Sequence, residues 1–288
     1  MKSFLKNIKL HYNIKDYRFS LVILVTILSI IGVFMVRSAR PDLTGRQMMG
    51  VVLGLAAMLI ISLIDYKWVL GLYWPLYGLN LIMLIAVPIF GTEANGAKRW
   101  LNLGFTQFQP SDLTKILMIL FFARFLMDRK EKINRPMTLL QAVALILPSL
   151  ILIYEQPNLS TTICIAALFC ALIFLGGLTY RYIVPVIAVI VPAVIILLAI
   201  AVQPNQPFLE DYQQKRILAW LDPEEYADDG AYQQLNSVMA IGSGQLSGKG
   251  YNNDETTSVK NGNFVSEPQT DFIFAIIGEE LGFVGCCV

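Results

Sequence analysis

Among the charged residues inside or at the edge of long apolar stretches, five could do chemistry, whereas Arg37 and Arg124 near helix ends are expected to reach the membrane interface. Asp112 and Lys115 stand three residues apart, Asp271 opens the last apolar stretch, and Glu279 and Glu280 follow within it. A charge at the bilayer centre costs about 2.5–3.5 kcal/mol on insertion scales. A carboxylate there could act as a general base, and a cation could stabilise an anionic leaving group. The alternatives are a structural ion pair for Asp112 with Lys115, and an N-cap for Asp271.

A second candidate group precedes the helix of Asp112. Lys98, Arg99 and Trp100 place two cations beside an indole in a short polar connection. Such a cluster at a membrane surface could bind a lipid phosphate. Anchoring of the connection at the interface, without a ligand, is the alternative.

Composition indicates that lipid surrounds most of the chain. Of the 288 residues 56% are hydrophobic and 15% are charged, where soluble domains carry about 25% charge. The net charge of +1 argues against nucleic acid as a partner. The apolar runs predict an all-α polytopic membrane protein with about eight transmembrane helices. They cover 18–37, 47–64, 68–90, 110–127, 138–154, 159–178, 183–203 and 271–288.

The distribution of charge predicts the orientation in the membrane. Residues 1–17 and the connection 124–135 are rich in Lys and Arg, which places both in the cytoplasm together with the N-terminus. The acidic segment 204–270 is then a large extracytoplasmic loop. Within it, 208–221 is loosely amphipathic and favours an interfacial helix, with a solvated loop as the alternative. The last run stops at Val288 without a polar tail, so we expect the C-terminal helices to be missing.

Two other kinds of site are excluded or disfavoured by the residues. The run GSGQLSGKG (242–250) lacks the glycine and the Ser/Thr of a phosphate-binding loop, so no ATP site is expected. The four cysteines sit in apolar runs and the single histidine, His11, lies in the N-terminal tail. No metal site is therefore predicted from these residue types.

Several motifs in order along the chain resemble one family of membrane proteins. They are GAKRWLNLG (96–104), FQPSDLTK (108–115), QPNLST (156–161), AIGSG (240–244), GKG (248–250), EPQTDFIFA (267–275) and GEELG (278–282). Together they resemble the SEDS family (shape, elongation, division and sporulation), the RodA/FtsW-type peptidoglycan polymerases. The family has ten membrane helices, which agrees with the expectation that C-terminal helices are missing from this single membrane domain, 1–288.

The resemblance implies an inverting glycosyltransferase that polymerises lipid II at the outer face of the bacterial cytoplasmic membrane, for elongation, division or sporulation. It implies Asp271 as the catalytic base. The implied lipid II and pyrophosphate contacts are Lys98, Arg99, Trp100, Asp112, Lys115, Ser243 and Glu267. The implied partner is a class B penicillin-binding protein. A divalent cation, Mg²⁺ or Mn²⁺, could assist, although no cofactor is required by the motifs.

Two other functions stay open at the level of the sequence. The same cations and membrane cavity could pass the headgroup of lipid II across the bilayer, as a flippase does. The chain could also act as an inactive scaffold if it lacks the helices that enclose a cavity. The flippase hypothesis differs from the polymerase hypothesis in its demand on Asp271, which only the polymerase needs as a base.

Overall fold

The computed structural model describes residues 17–94, 97–102, 107–203, 211–228, 231–262 and 264–288. The predicted cytoplasmic tail lies outside the described residues up to residue 16, as does the start of the predicted interfacial helix. The helices are α1 Phe19–Ala39, α2 Thr44–Ser62, α3 Tyr66–Gly71, α4 Tyr73–Phe90, α5 Pro110–Met127, α6 Pro136–Tyr154, α7 Leu159–Leu175, α8 Tyr180–Ala201, α9 Asp211–Leu221, α10 Tyr232–Ser243 and α11 Ile273–Cys287. The strands are β1 Thr92–Ala94, β2 Ala97–Asn102 and β3 Gln107–Phe108.

The eight apolar segments predicted from the sequence coincide with α1, α2, α4 to α8 and α11. Among the described residues, five helices are long and apolar enough to cross a membrane, namely α1, α2, α4, α6 and α8. Of the other three, α7 has 17 residues, α11 has 15, and α5 carries Asp112, Lys115 and Arg124. The chain is a multi-pass membrane protein of the all-α class, as predicted.

Two elements depart from the predicted all-helical plan. Thr92–Ala94, Ala97–Asn102 and Gln107–Phe108 form a small antiparallel sheet of order β1-β2-β3, where a plain connection was expected. Helix α10 lies in the long loop between α8 and α11 and was not predicted. In contrast, the helix predicted at 208–221 is present as α9 in its described part. Trp220 at its end is 66% exposed, and the interfacial placement of α9 stays a prediction.

The chain divides into two compact units, and the boundary between them falls inside α8. One unit is Ser62–Ile195, and the other combines Met1–Ile61 with Ile196–Val288. We call the first the central unit and the second the terminal unit. The predicted single domain 1–288 therefore remains a hypothesis.

In the central unit, α4, α6 and α7 pack around the aromatic face of α5. Phe121, Phe122 and Phe125 are fully buried, and the Phe121 ring stacks on Tyr77 with centroids 4.6 Å apart. Burial of three large aromatic side chains at this spacing fixes the side of α5 that faces its neighbours. Asp112 and Lys115 lie near the start of α5, away from these buried aromatic residues.

Proline inside α4 frees a carbonyl that the fold satisfies from another segment. Pro88 has no N–H, so the carbonyl of Leu84 loses its helical partner. The buried Gln156 side chain donates to that carbonyl at 3.2 Å. The start of the α6–α7 connection is thereby held against α4, because a free carbonyl is costly in an apolar environment.

In the terminal unit, α1, α10 and α11 share a second core. Its fully buried members include Met35, Ala275 and Ile276, with Val259 and Val265 contributed by the loop between α10 and α11. The loop between α10 and α11 is therefore folded onto the helices through apolar contacts. This packing positions the segment that leads into Asp271.

Candidate functional site

Asp271 stands two residues before α11 and is exposed. The N-cap position of α11 is taken by Phe272, and its side chain makes no capping hydrogen bond. The N-cap interpretation of Asp271 is therefore wrong. Within the described part of the chain, the Asp271 carboxylate makes no hydrogen bond or ion pair. An accessible, unpaired carboxylate is able to accept a proton from a substrate.

A tight turn precedes Asp271 and sets its position. The carbonyl of Glu267 accepts from the backbone N–H of Thr270 at 3.1 Å, and Glu267 has a φ of +51°. The buried Gln269 donates its side-chain amide to Glu267 Oε2 at 2.5 Å. A non-glycine residue in this left-handed conformation is held only where its surroundings require it. The turn thus fixes the chain immediately before the candidate base.

The Glu280 carboxylate is the centre of a buried polar cluster on α11. Its Oε1 atom accepts from Ser38 Oγ at 2.5 Å and from Lys260 Nζ at 2.7 Å. Its Oε2 atom accepts from the backbone N–H of Asn252 at 3.1 Å. The side chains of Lys260 and Glu280 are 5% and 1% exposed. This cluster joins the loop between α10 and α11 to both α1 and α11.

Glu279, the preceding residue, forms a matching cluster. Its Oε1 accepts from Lys249 Nζ at 2.9 Å, and its Oε2 accepts from Ser258 Oγ at 3.3 Å and from Val259 N at 3.0 Å. Each of the two neighbouring glutamates is therefore buried with one lysine and further donors, as a buried charge requires. Both glutamates were identified from the sequence as charges in an apolar run but were not assigned to the site. The available signal was the presence of Lys249 and Lys260 in a loop of net negative charge.

Helix α11 is broken at Gly282, and the loop after α10 completes its hydrogen bonding. Gly282 has φ +65° and ψ −165°, which is not helical. The N–H groups of Phe283 and Val284 donate to the carbonyls of Gln245 and Leu246 at 2.8 and 3.2 Å. In return, the carbonyl of Glu279 accepts from Lys249 N at 2.9 Å. The broken helix is thus joined directly to the loop by its backbone.

Two glycines of the 242–250 run, Gly244 and Gly248, have a structural role at this junction. A Cβ atom at Gly248 would lie 2.1 Å from the carbonyl oxygen of Glu280, and one at Gly282 would lie 2.3 Å from Gly248 N. Only glycine permits such a close approach of two backbones. The run is therefore explained by packing against α11.

Ser243 and Glu267, the other candidate residues of the terminal unit, line two different cavities. Ser243, Lys249 and Glu279 line a cavity of about 290 Å³. Glu267, Lys260 and Arg40 line another of about 350 Å³. Ser243 Oγ donates to the carbonyl of Ala240 at 2.8 Å, so this hydroxyl keeps its acceptor capacity. Ser243, Glu267 and Asp271 therefore share one unit, with Ser243 and Glu267 in different cavities.

In the central unit, Arg99 is engaged by the protein itself. Its Nε donates to the carbonyl of Gln156 at 3.1 Å, and its Nη2 donates to the carbonyl of Pro157. Lys98 beside it is exposed, and Trp100 is half-buried in β2. The sheet thus presents one cation outward and uses its neighbour to hold the α6–α7 connection.

Asp112 and Lys115 form the predicted ion pair on the first turn of α5. Lys115 Nζ lies 2.8 Å from Asp112 Oδ1, and their side chains are 35% and 59% exposed respectively. An acid in the first helical turn also interacts favourably with the helix dipole. This pair, Lys98, Arg99 and Trp100 all belong to the central unit, whereas Asp271 belongs to the terminal unit.

Among the described residues, no three His, Cys, Asp or Glu side chains cluster so as to hold a metal ion. Mg²⁺ is often held by one or two carboxylates together with substrate phosphates, so the divalent cation considered from the sequence stays a hypothesis. We assign no chemical step to such a cation.

Comparison with known proteins places these features in a family. Residues 17–288 match the family of cell cycle proteins described as FtsW/RodA/SpoVE. The chain is 35% identical over 243 residues to the peptidoglycan glycosyltransferase MrdB of Escherichia coli K12, covering 84% of this chain and 63% of that protein. It is 31% identical over 280 residues to the probable peptidoglycan glycosyltransferase FtsW of Aliivibrio salmonicida, covering 91% and 65%. The chain thus spans less than two thirds of these relatives.

Solved structures show the same fold. A structure described as "structural coordination of polymerization and crosslinking by a peptidoglycan synthase complex" superposes with a TM-score of 0.73 at 28% identity, covering 94% of this chain and 73% of that one. The crystal structure of the Thermus thermophilus rod shape determining protein RodA superposes with a TM-score of 0.60 at 26% identity, covering 94% and 70%. The chain therefore belongs to the FtsW/RodA/SpoVE family of cell cycle proteins.

Proposed function

We propose that this protein is a peptidoglycan glycosyltransferase that polymerises lipid II into glycan strands at the outer face of the cytoplasmic membrane. Relatives of 35% and 31% identity carry the name peptidoglycan glycosyltransferase, which supports the reaction class. The single observation that carries the proposal is the exposed, unpaired carboxylate of Asp271 at the start of α11. The reaction needs an unpaired carboxylate, whereas an acid with a purely structural role would be paired with a donor or a cation.

The proposed chemistry is a single displacement at the anomeric carbon of the donor strand. The 4-hydroxyl oxygen of the acceptor sugar forms the new glycosidic bond while the bond to the pyrophosphate oxygen breaks. Asp271 accepts the hydroxyl proton, and undecaprenyl pyrophosphate leaves with the electron pair. One displacement inverts the configuration, so an α-linked donor gives a β-linked strand.

Charge on the leaving pyrophosphate needs cations. We assign this role to Lys98 and Lys115, with Trp100 at the membrane interface beside Lys98 and Asp112 orienting Lys115 through their ion pair. Arg99 gives two hydrogen bonds to backbone carbonyls, and the guanidinium has five donors, so three remain for a ligand. Ser243 and Glu267 are proposed to bind polar groups of lipid II in their two cavities.

The Glu279 and Glu280 clusters are proposed to position the base rather than to react. They are buried and their carboxylate oxygens are occupied by lysine, hydroxyl and backbone donors. Asp271 lies just before the helix that carries both glutamates and follows the loop that they hold. A rigid loop keeps the carboxylate at a fixed distance from the acceptor hydroxyl, which catalysis by proton transfer requires.

For the partner and the orientation, we propose a class B penicillin-binding protein and a cytoplasmic N-terminus. The similar solved complex couples polymerisation to crosslinking, which supports a crosslinking partner. The basic connection between α5 and α6 supports the orientation, because positive loops stay in the cytoplasm. The acidic loop with Asp271 then faces outward.

The test of this function is synthesis from purified lipid II by the purified protein, with and without a penicillin-binding partner. We expect a β-linked polymer that a muramidase digests. Transfer of lipid II between the leaflets of a vesicle, without any polymer, would contradict the proposal and favour the flippase. Absence of both activities in the complex would favour the scaffold.

A further inference from the structure

A basic pocket of about 570 Å³ lies at one end of the central unit, away from the residues assigned above. Its lining includes Arg129, Lys132 and Arg135, together with Tyr73, Thr138 and Gln141. Tyr73 is the first residue of α4, the three cations lie in the connection between α5 and α6, and Thr138 and Gln141 lie in the first turns of α6. Three helix ends therefore converge on it, and the end of the unit is the one that we propose faces the cytoplasm.

The positive charge of this pocket is not neutralised by its own acid. Asp128 also lines the pocket, but its Oδ1 atom lies 3.0 Å from Arg124 Nη2, which takes up its charge. Within the described residues, Arg129, Lys132 and Arg135 make no ion pair. Glu131, next in sequence to Lys132, is exposed and does not line the pocket. Three cations thus face one space, which favours an anionic ligand.

The pocket is also held in a fixed shape. Arg129 lies over the Phe125 ring, with its guanidinium carbon 4.0 Å from the ring centroid. Between Lys132 and Arg135, Ile133 is 2% exposed and Asn134 Oδ1 accepts from Thr179 N at 2.8 Å. Tyr182 Oη donates to the carbonyl of Asn134 at 3.0 Å. The segment that carries the cations is therefore fastened to the α7–α8 connection instead of moving freely in solvent.

The rim of the pocket indicates the form of the anion. Met137 in the lining is 65% exposed, and Leu140 one turn further along α6 is 63% exposed. Trp74, next to the lining residue Tyr73, is 46% exposed, as is typical of a residue at the membrane interface. A phosphate in the pocket would thus continue into apolar surface. Acyl chains would gain free energy by contact with that apolar surface, whereas a free phosphate would not.

We propose that this pocket binds the headgroup of an anionic phospholipid, with its phosphate held by Arg129, Lys132 and Arg135 and its acyl chains along α6. Basic pockets between membrane helices are a known setting for anionic lipid headgroups. Thr138 and Gln141 add a hydroxyl and an amide for the polar part of the headgroup. The site is independent of the proposed polymerase reaction, because none of its residues has a role there.

The experiment compares lipid retention by the full protein in detergent, measured by native mass spectrometry during titration with phosphatidylglycerol or phosphatidylcholine. The pocket variant is Arg129→Gln, Lys132→Gln and Arg135→Gln. The control variant is Lys67→Gln, Lys130→Gln and Arg181→Gln, which removes three exposed cations that do not line the pocket. Each pocket cation is expected to contribute about fivefold in affinity, so the pocket variant loses on the order of 100-fold for phosphatidylglycerol.

The control variant is expected to lose far less, and phosphatidylcholine is expected to bind weakly to all three proteins. Equal loss in both variants would overturn the proposal, since the charges would then act only as a diffuse field. Displacement of phosphatidylglycerol by inorganic phosphate at equal concentration would overturn the lipid assignment in favour of a free anion. If the triple variant does not fold, Lys132→Gln alone, an exposed change on a short turn, is expected to lose about fivefold.

Discussion

Two carboxylate–lysine pairs in this protein have the same short contact and opposite surroundings. Glu280 and Lys260 are 2.7 Å apart and almost wholly buried, whereas Asp112 and Lys115 are 2.8 Å apart and largely exposed. Water screens the exposed pair, so it contributes less than about 1 kcal/mol to stability. In the buried pair, loss of one partner leaves an uncompensated charge in a site that excludes water. We therefore expect the Glu280–Lys260 pair to act on folding, and we propose that the Asp112–Lys115 pair acts on the reaction.

Replacement of the buried acid is expected to destabilise the protein. Glu280→Gln leaves the Lys260 ammonium without a counter-charge, at a cost of about 3 kcal/mol in the free energy of unfolding. The double variant Glu280→Gln, Lys260→Met removes that charge and should recover part of the loss. Denaturant titration in detergent micelles measures both. Unchanged stability of Glu280→Gln would show that the cluster does not hold the loop.

Replacement of the exposed acid is expected to act on the reaction instead. Asp112→Asn should change the free energy of unfolding by less than about 1 kcal/mol, because the pair is solvated. If Asp112 orients Lys115 toward pyrophosphate, the rate of strand synthesis falls by at least about tenfold. Asp128→Asn, which disrupts the other surface pair of α5, serves as the matched control. Equal rates for the two variants would remove Asp112 from the site.

At this scale the sequence predicted local pairs and missed distant ones. The contact of Asp112 with Lys115 follows from their spacing on one helix face. The hydrogen bonds of Arg99 to Gln156 and Pro157 depend on how α6 and α7 meet the sheet, which no local pattern encodes. The same holds for Ser38 and Glu280, which are separated by most of the chain. For Glu280, charge in an apolar run indicated importance but did not identify the partner.

At the scale of elements, the last helix and the loop before it form one structure. The break at Gly282 transfers the hydrogen bonds of α11 to residues after α10. An isolated helix could not leave these groups unpaired in a membrane. The apolar run 271–288 predicted a continuous span because hydropathy does not register a change in backbone conformation. The short sheet and α10 were missed for a related reason, since both are too brief and polar to give a strong periodic signal.

This arrangement predicts different outcomes for two glycine substitutions. Gly282→Ala places a Cβ atom 2.3 Å from Gly248 N at a φ of +65°, so we expect a loss of more than about 2 kcal/mol in stability. Gly242→Ala in α10 meets no atom within 4 Å and should be neutral or stabilise by up to about 1 kcal/mol. Thermal unfolding in detergent measures both. A tolerated alanine at Gly282 would contradict the close contact of the two backbones.

At the scale of the whole molecule, the proposed reaction requires the loop with Asp271 to face outward. The N-terminal tail lies outside the described residues, so the basic segment that the structure describes is the α5–α6 connection. Lys130, Lys132 and Arg135 of this connection are exposed, as are the described acids of the loop between α8 and α11, among them Glu225 and Asp254. The positive-inside rule assigns them to opposite sides. The helix count is of little help here, because α5, α7 and α11 fall outside the length and composition typical of a span.

Labelling with a membrane-impermeant maleimide tests the orientation. In a background where Cys164, Cys170, Cys286 and Cys287 are replaced by alanine, we expect Glu225→Cys to react in spheroplasts with intact membranes. Lys130→Cys should react only after permeabilisation. Both positions are exposed, so accessibility within the protein does not limit either reaction. The reverse pattern would place the candidate base on the cytoplasmic side, where the proposed outer-face reaction cannot occur.

The proposed role of Asp271 as the catalytic base is tested most directly by the initial rate of strand synthesis from purified lipid II by Asp271→Asn. The amide has the size of the carboxylate but cannot take the proton, so the rate should fall by about 10²–10⁴. Because Asp271 is exposed and makes no hydrogen bond or ion pair within the described residues, lipid II binding and thermal unfolding should not change. Asp254→Asn, an exposed acid of the same loop, should keep the wild-type rate. A wild-type rate for Asp271→Asn in a folded protein would contradict the assignment of Asp271 as the base.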